Sequence, residues 1–348
     1  EGGWLAQELP IEGAGGSDHF GPELETTWLI ATSGTTSTPK LVAHGVDSLC
    51  RTVSKKYSPE DVWGLLYDPS RFAGLQVLIQ AAAIGSSLVV PDPEDTFSSR
   101  VRFLADSACT ALSATPSLWR KILMSIGDDC SMELKQVTLG GEIADQAIID
   151  TLKFQFPGAV IVHIYASTEA GVGFSVRDKR AGFPSVWLEE GPRDVDLKVS
   201  ELGTLLLRSK IRTQRYFGLD EEIIEEDGWI DTGDMVDIVE DRVFFLGRLN
   251  GSINIGGNKV FPEEVETFIG SLKEVSTVAI FPRKSSITGS LIEAHVVPKN
   301  KSIDKSELKK KIKSHCRGGL ADFKVPAFIR IVDEISVTSA GKKRRGDG

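Results

Sequence analysis

From Thr26 to Tyr165 short apolar runs alternate with stretches of helical period, and that alternation constrains the fold more than any other feature of the chain. It runs through Thr27–Thr32, Val46–Lys56, Gly64–Leu66, Leu75–Ile84 and Ser87–Val90. It continues as a strand at Ala111–Ala114, a helix over Ser117–Ile126, a strand at Gln136–Leu139, a helix over Asp145–Phe154 and a strand at Val160–Tyr165. Strand runs that are apolar throughout suit strands covered on both faces, so the pattern predicts a largely parallel α/β sheet. After Gly191 the texture changes to shorter alternating strands, Val195–Val199, Gly203–Leu207 and Arg242–Leu246, which predict a small β subdomain. From about Asn250 an α+β unit is expected. It has a helix from Glu263, strands near Val275–Phe281 and Leu291–Val297, and a helix opened by Asp304 with Glu307 three residues on, a capping-box spacing.

At 348 residues, with 41% hydrophobic and 26% charged, the chain is long enough for two domains and has globular composition. No run approaches the ~18 apolar residues that cross a bilayer. The start, Glu1-Gly2-Gly3-Trp4, lacks a basic region followed by an apolar stretch, so no membrane span and a cytoplasmic location are expected. Cys50, Cys109, Cys130 and Cys316 are scattered, without Cys-x-x-Cys pairing or a nearby His at metal-ligand spacing, and read as buried or incidental thiols. A formal charge of −9 argues against nucleic acid as a partner. Against that balance, Lys342-Lys343-Arg344-Arg345 is locally basic and suits either an anionic ligand or a solvated terminus, while Lys309, Lys310, Lys311 and Lys313 read as the solvated face of their helix.

Directly after Trp28-Leu29-Ile30-Ala31 comes Thr32-Ser33-Gly34-Thr35-Thr36-Ser37-Thr38-Pro39-Lys40. Its small residues let backbone N–H groups approach an anion, its hydroxyls add donors, and Lys40 supplies a point charge for outer phosphates. The spacing is not that of a Walker loop, and composition alone allows a mobile surface loop equally well. Four more segments bear on the choice. Tyr165-Ala166-Ser167-Thr168-Glu169 ends a predicted strand, and Gly228-Trp229-Ile230-Asp231-Thr232-Gly233-Asp234 precedes Gly247-Arg248. Gly256-Gly257-Asn258-Lys259-Val260-Phe261-Pro262-Glu263-Glu264-Val265-Glu266 follows, and Thr338-Ser339-Ala340-Gly341-Lys342, with Arg345 beyond it, comes last.

Together, in this order and over about residues 28 to 345, these segments resemble the adenylate-forming superfamily of acyl- and aryl-CoA ligases, adenylation domains and beetle luciferases. The resemblance implies a large N-terminal α/β core with a small β subdomain over 1–249 and a small mobile α+β C-terminal domain over 250–348. It implies ATP and Mg²⁺ as cofactors, a small carboxylic acid as substrate, and coenzyme A or a phosphopantetheine arm on a carrier protein as acyl acceptor. ATP or AMP contacts fall to Thr32, Ser33, Gly34, Thr35, Thr36, Lys40, Gly140, Gly141, Glu142, His163, Tyr165, Ala166, Ser167, Asp234 and Arg248. Tyr165 offers adenine a face, with a core tyrosine as the alternative. Thr168 and Glu169 would bind phosphate and Mg²⁺, for which a hydroxyl and a carboxylate are fitting oxygen ligands. Asp234 would accept from the ribose hydroxyls. Lys342, the expected catalytic lysine, would bridge carboxylate and α-phosphate as charge builds. For the thiol step the C-terminal unit would swing about a hinge at Asn250, bringing Gly256 and Gly257 to the thiol channel.

Several residues depart from the family pattern. The phosphate loop begins only about thirty residues into the chain, so the front portion is expected to be short or truncated. Uncharged Asn250 occupies the hinge, Ala166 replaces a glycine, and His163 stands where an adenine-facing Asn is frequent, either in that role or as a core histidine. In the acyl-pocket segment, Arg71, Phe72 and Gly74, Phe72 falls where amino-acid activators carry an Asp. An α-ammonium would lack its counter-charge there, which disfavours an amino acid. Arg71 suits either a second polar group on the acid or the solvent. The expected activity is AMP-forming ligation of an acid to coenzyme A, with carrier-protein loading as the alternative and a non-catalytic nucleotide-binding regulator as a reading of another class.

Overall fold

A computed structural model describes residues 26–32, 40–51, 53, 58–126, 130–168, 171–209, 227–285, 288–338 and 341–343. At its centre lies a six-stranded sheet in the spatial order Ser87–Val89, Val62–Gly64, Ala111–Ala114, Gln136–Gly140, Val160–Ser167 and Gly171–Val176. Its first five strands run parallel and the last is antiparallel. Helices Phe72–Ile84, Phe97–Asp106, Pro116–Ser125 and Gln146–Gln155 alternate with these strands along the chain. All four residues of Ala111–Ala114 are buried, as the unbroken apolar run requires of a strand covered on both faces. Trp119 is fully buried and donates its indole N–H to the Thr138 carbonyl at 2.9 Å, so its polar tip costs the core little.

Helix starts follow their caps. The Thr96, Thr115 and Asp145 side chains accept from Ser99, Leu118 and Ile148 N–H groups, and Pro116 occupies the first helical position after Thr115. Burial alone pushes the Asp145 carboxyl up, but Arg120 at 2.5 Å and the Ile148 N–H hold it below the ordinary carboxylate range.

A five-stranded antiparallel sheet follows, ordered Val195–Val199, Thr204–Ser209, Ile230–Val239, Arg242–Arg248 and Phe183–Pro184. The C-terminal unit pairs Val275–Ser285 with Gly289–Pro298 antiparallel, adds Phe328–Ile331 in parallel, and packs helices Pro262–Gly270 and Lys305–Gly319 on a core of its own. Asp304 caps the last helix by accepting from Ser306 and Glu307 N–H, as its spacing predicts. This unit sits directly on the rest. A Cβ added to Gly247 would lie 2.4 Å from the Glu263 carboxylate, so the Glu263 side chain of helix Pro262–Gly270 packs against the backbone of strand Arg242–Arg248.

The structure revises three expectations. Thr27–Ala31 does not join the central sheet. It pairs with Leu41–Gly45 in a separate antiparallel hairpin that brackets Thr32 and Lys40, anchored by Ile30, Leu49, Phe72 and Leu75. Of the helix expected over Val46–Lys56, the described residues show Val46–Cys50, ending at Arg51, while residues 52 and 54–57 lie outside the described residues. Helix Phe97–Asp106 and strand Ile230–Val239 were not expected; Asp231, Gly233, Asp234 and Asp237 hide the apolar period of the latter.

Candidate active site

The motif at Asp231–Asp234 is a device for bending a strand. Thr204 pairs with Met235 and Leu206 with Asp231, so the longer strand carries extra residues across this stretch and bulges. Asp231 accepts from the Gly233 N–H at 2.8 Å, Gly233 adopts φ +67°, and Thr232 donates to the Leu205 carbonyl while accepting from the Asp234 N–H. Asp234 is thereby fixed beside Tyr165 and Arg248, two other residues expected at the nucleotide. Tyr165 donates its hydroxyl to Asp234 Oδ2 at 2.5 Å, and Arg248, the direct cross-strand partner, approaches Oδ1 with Nε at 3.1 Å. Burial and the Asp234 carboxylate raise the Tyr165 hydroxyl well above its usual value, so it remains a donor. Its ring lies parallel to those of Phe174 and Phe245, at centroid separations of 5.1 and 5.0 Å. Tyr165 therefore serves the protein core and orients Asp234, and any adenine must share a ring already engaged by two others.

The tail meets the core at the carboxyl ends of the central strands, where open α/β sheets place ligands. Gly140 ends its strand opposite Ile164, one residue before Tyr165. Gly141 follows with φ +80°, and the Lys342 Cε lies 3.6 Å from where a Gly141 Cβ would stand. Lys342 is thus carried from the far end of the chain to the expected nucleotide loop. The Glu142 carboxylate accepts from the N–H groups of Ser117 and Lys343 at 2.9 and 2.8 Å, so its side chain is committed to protein contacts.

Of the phosphate segment, Ser33, Gly34, Thr35 and Thr36 lie outside the described residues, as does Glu169. Thr32 and Lys40 close the base of the loop through Thr32 N–H to the Lys40 carbonyl and Lys40 N–H to the Thr32 hydroxyl. Ser167 and Ala166 pair with Gly171 and Val172 at the strand end. Thr168 is tied to the hairpin by His44, a fully buried residue whose Nε2 contacts the Thr168 carbonyl at 2.9 Å and whose Nδ1 contacts the Ser48 hydroxyl. Sequence reasoning missed His44, because one histidine in an alternating strand carries no signal. It also missed Thr115, whose hydroxyl donates to the Gly341 carbonyl; the Thr-Pro helix start was its visible trace. His163 contacts the Arg180 carbonyl at 3.0 Å, and burial keeps its pKa below the usual histidine value.

The expected pocket residues divide. Phe72 is buried with Ile30, Leu49 and Leu75, 5.5 Å from the His44 ring. Arg71 makes a long 3.5 Å contact with the Thr32 carbonyl. Gly74 answers to packing, since a Cβ there would stand 2.2 Å from the Asp68 carbonyl oxygen. Asn250 lies in the single turn Leu249–Gly251 that leaves Arg248 for the C-terminal unit. Gly256 and Gly257, at φ +57° and +89°, form the two-residue turn between Ile253–Ile255 and Asn258–Val260.

Tyr165, Asp234 and Arg248 meet at one corner, and a lysine of the C-terminal unit is brought over the Gly140–Gly141 loop, which gathers residues that the resemblance to the adenylate-forming class assigns to nucleotide and carboxylate. The AMP-binding enzyme family matches residues 18–205, and the AMP-binding enzyme C-terminal domain matches residues 264–342. This chain belongs to the AMP-binding enzyme family. It is 25% identical to a 2-succinylbenzoate–CoA ligase of Listeria innocua over 93% of this chain and 71% of that protein. It is 27% identical to the p-hydroxybenzoic acid–AMP ligase FadD22 of Mycobacterium tuberculosis over 98% of this chain and 51% of that one. Among solved structures, a benzoate CoA ligase from Burkholderia xenovorans superposes with TM-score 0.76 at 19% identity, covering 92% of this chain and 68% of that chain. The anthranilate CoA ligase AuaEII in complex with anthranoyl-AMP gives 0.75 at 21%, covering 90% and 65%. These chains extend beyond the region they share with this one. No helix among the described residues is long and apolar enough to cross a membrane.

Proposed function

We propose that this chain joins a carboxylic acid to a thiol in two displacements. A carboxylate oxygen attacks the α-phosphorus of ATP, expelling pyrophosphate and leaving an acyl-adenylate. The sulfur of coenzyme A then attacks the acyl carbon, its proton is lost, and AMP leaves. The observation that carries this reading is Lys342 held over Gly141, beside the strand end that bears Tyr165. There its ammonium would lie between carboxylate and α-phosphate, stabilising the charge that builds between them. Asp234, aimed by its bulge, would accept from the ribose hydroxyls, with Arg248 alongside. Thr168 and Glu169 offer hard oxygen donors of the kind Mg²⁺ takes and would hold that ion, which would neutralise phosphate charge. We take the Leu249–Gly251 turn as the swivel that frees the site for the thiol, dividing the chain into 1–249 and 250–348. The four cysteines are free thiols, which suits a reducing, cytoplasmic setting.

Aromatic acids lead the substrate classes, because the relatives' names include 2-succinylbenzoate and p-hydroxybenzoic acid. Buried Phe72 leaves no carboxylate at that position to pair with an amino acid's ammonium. The test is carboxylate-dependent exchange of labelled pyrophosphate into ATP over aromatic, aliphatic, hydroxy and dicarboxylic acids, with Lys342→Ala as control. Exchange with one class, lost in the variant, is the expected result. ATP binding without exchange for any acid would sink the proposal in favour of a nucleotide-binding regulator. Thioester yield with free coenzyme A against a phosphopantetheinylated carrier then decides the acceptor.

A further inference from the structure

We propose that Lys343, the residue after the expected catalytic lysine, is a positioning residue that tethers the tail to the C-terminal unit while Glu142 serves as its dock on the core. This inference rests on the functional reading above and goes beyond it. Lys343 touches two carboxylates by two different groups. Its main-chain N–H donates to Glu142 Oε1 at 2.8 Å, and its ammonium meets Glu266 Oε2 at 2.7 Å. Both side chains of the second pair are largely withdrawn from water, at 15% and 6% exposure. The other oxygen of Glu266 accepts from the Ile280 N–H at 2.9 Å. Removing the ammonium would leave a buried carboxylate without its counter-charge, the costly way to break such a pair.

The dock is equally specific. Glu142 Oε2 takes the Ser117 N–H from the first turn of helix Pro116–Ser125, one of the donors a helix start leaves over, and Oε1 remains for Lys343. Thr115, the cap of that helix, donates its hydroxyl to the Gly341 carbonyl. A Cβ on Gly341 would stand 2.4 Å from Leu118 Cδ1, so only glycine lets the tail lie this close, and φ +72° demands it as well. Within the tail, the Lys342 carbonyl accepts from the Thr338 N–H at 2.7 Å, and Lys343 pairs with Val337 in an isolated antiparallel bridge. With Lys343 drawn to Glu266, its neighbour Lys342 is left to face Gly141. Glu266 and Lys343 both belong to the C-terminal portion, so their pair travels with the tail when it leaves, whereas the Glu142 and Thr115 contacts must break.

The test uses the full chain. Amide hydrogen exchange over residues 337–343 is measured for wild type, Lys343→Met, Lys343→Arg and Glu142→Gln. Loss of one charged contact predicts about tenfold or faster exchange in Lys343→Met and Glu142→Gln, with Lys343→Arg close to wild type. Pyrophosphate exchange, with benzoic acid as the first probe, should fall about tenfold in kcat for Lys343→Met while KM for ATP stays within about twofold, and Lys343→Arg should rescue it. Tail exchange in Lys343→Met as slow as in wild type overturns the inference. The hydrogen-exchange arm needs no acid. Pyrophosphate exchange undiminished in Lys342→Ala would count against the functional reading alone, and an unaffected tail in Lys343→Met against the tether alone.

Discussion

Asp234 and Lys342 converge on one corner of the molecule with opposite kinds of support. Asp234 is locked by strand register, by a bulge that Thr232 and Gly233 close, by Arg248 on the paired strand and by Tyr165 from the central sheet. Lys342 hangs from a short turn held by Thr115, Glu142 and the Lys343–Glu266 pair. Undoing the first means disrupting a sheet, whereas undoing the second means breaking a few side-chain contacts. Under the proposed two-step reading, a site that presents one lysine for one step and withdraws it for the next would need this division, with Asp234 in the scaffold and Lys342 on a part that could leave at a cost of a few kcal/mol.

The contrast can be broken most severely on the tail side. Lys342→Ala should lower pyrophosphate exchange by about 10²–10³, or ~3–4 kcal/mol, with a thermal midpoint close to wild type. A parallel drop in midpoint would show that the lysine supports the fold instead. Gly341→Ala, which drives a methyl into Leu118, should lower exchange about tenfold and leave urea stability within about 1 kcal/mol, since a tail can detach where a core cannot. On the scaffold side, Asp234→Ala strands the Tyr165 hydroxyl and should cost about 1–3 kcal/mol in urea unfolding as well as raising KM for ATP. Stability unchanged in that variant would remove the distinction between the two halves.

A pH experiment sharpens the same contrast. Asp145 has a depressed pKa beside Arg120, so its stabilisation is present above the ordinary carboxylate value of about 3.9 and is lost as pH falls through its lower folded value. The urea midpoint of wild type should therefore exceed that of Asp145→Asn near pH 6, and the gap should close toward pH 2. A gap that persists there would assign the effect to packing. Smallest of all, Tyr165→Phe removes one hydrogen bond to Asp234 and should cost about 1 kcal/mol. Tight adenine stacking on Tyr165 would appear in that variant as an unchanged ATP affinity.

Much of this was legible in the chain itself. Ala111–Ala114 and Val195–Val199 fall where their apolar patterns put them, and Asp304 caps its helix as its spacing says. Strand Ile230–Val239 escaped because its bulge interrupts the two-residue period with three acidic residues and a glycine. The first hairpin was misassigned because an apolar run looks the same whichever sheet receives it. Among site residues, Tyr165, Asp234, Arg248 and Lys342 were named from motifs. His44 and Thr115 were not, since each acts through a partner more than a hundred residues away.

The sequence by itself determined the alternation of elements, the helix caps and the ordered motifs, because those depend on neighbours along the chain and on local backbone chemistry. Only the tertiary structure decided that Glu142 spends its carboxylate on Ser117 and Lys343, that Gly74 serves the Asp68 carbonyl, and that Tyr165 lies against two phenyl rings. A side chain's partner is fixed by which surfaces packing brings together. No pattern local to Glu142 could reveal that its second oxygen waits for a residue two hundred positions away.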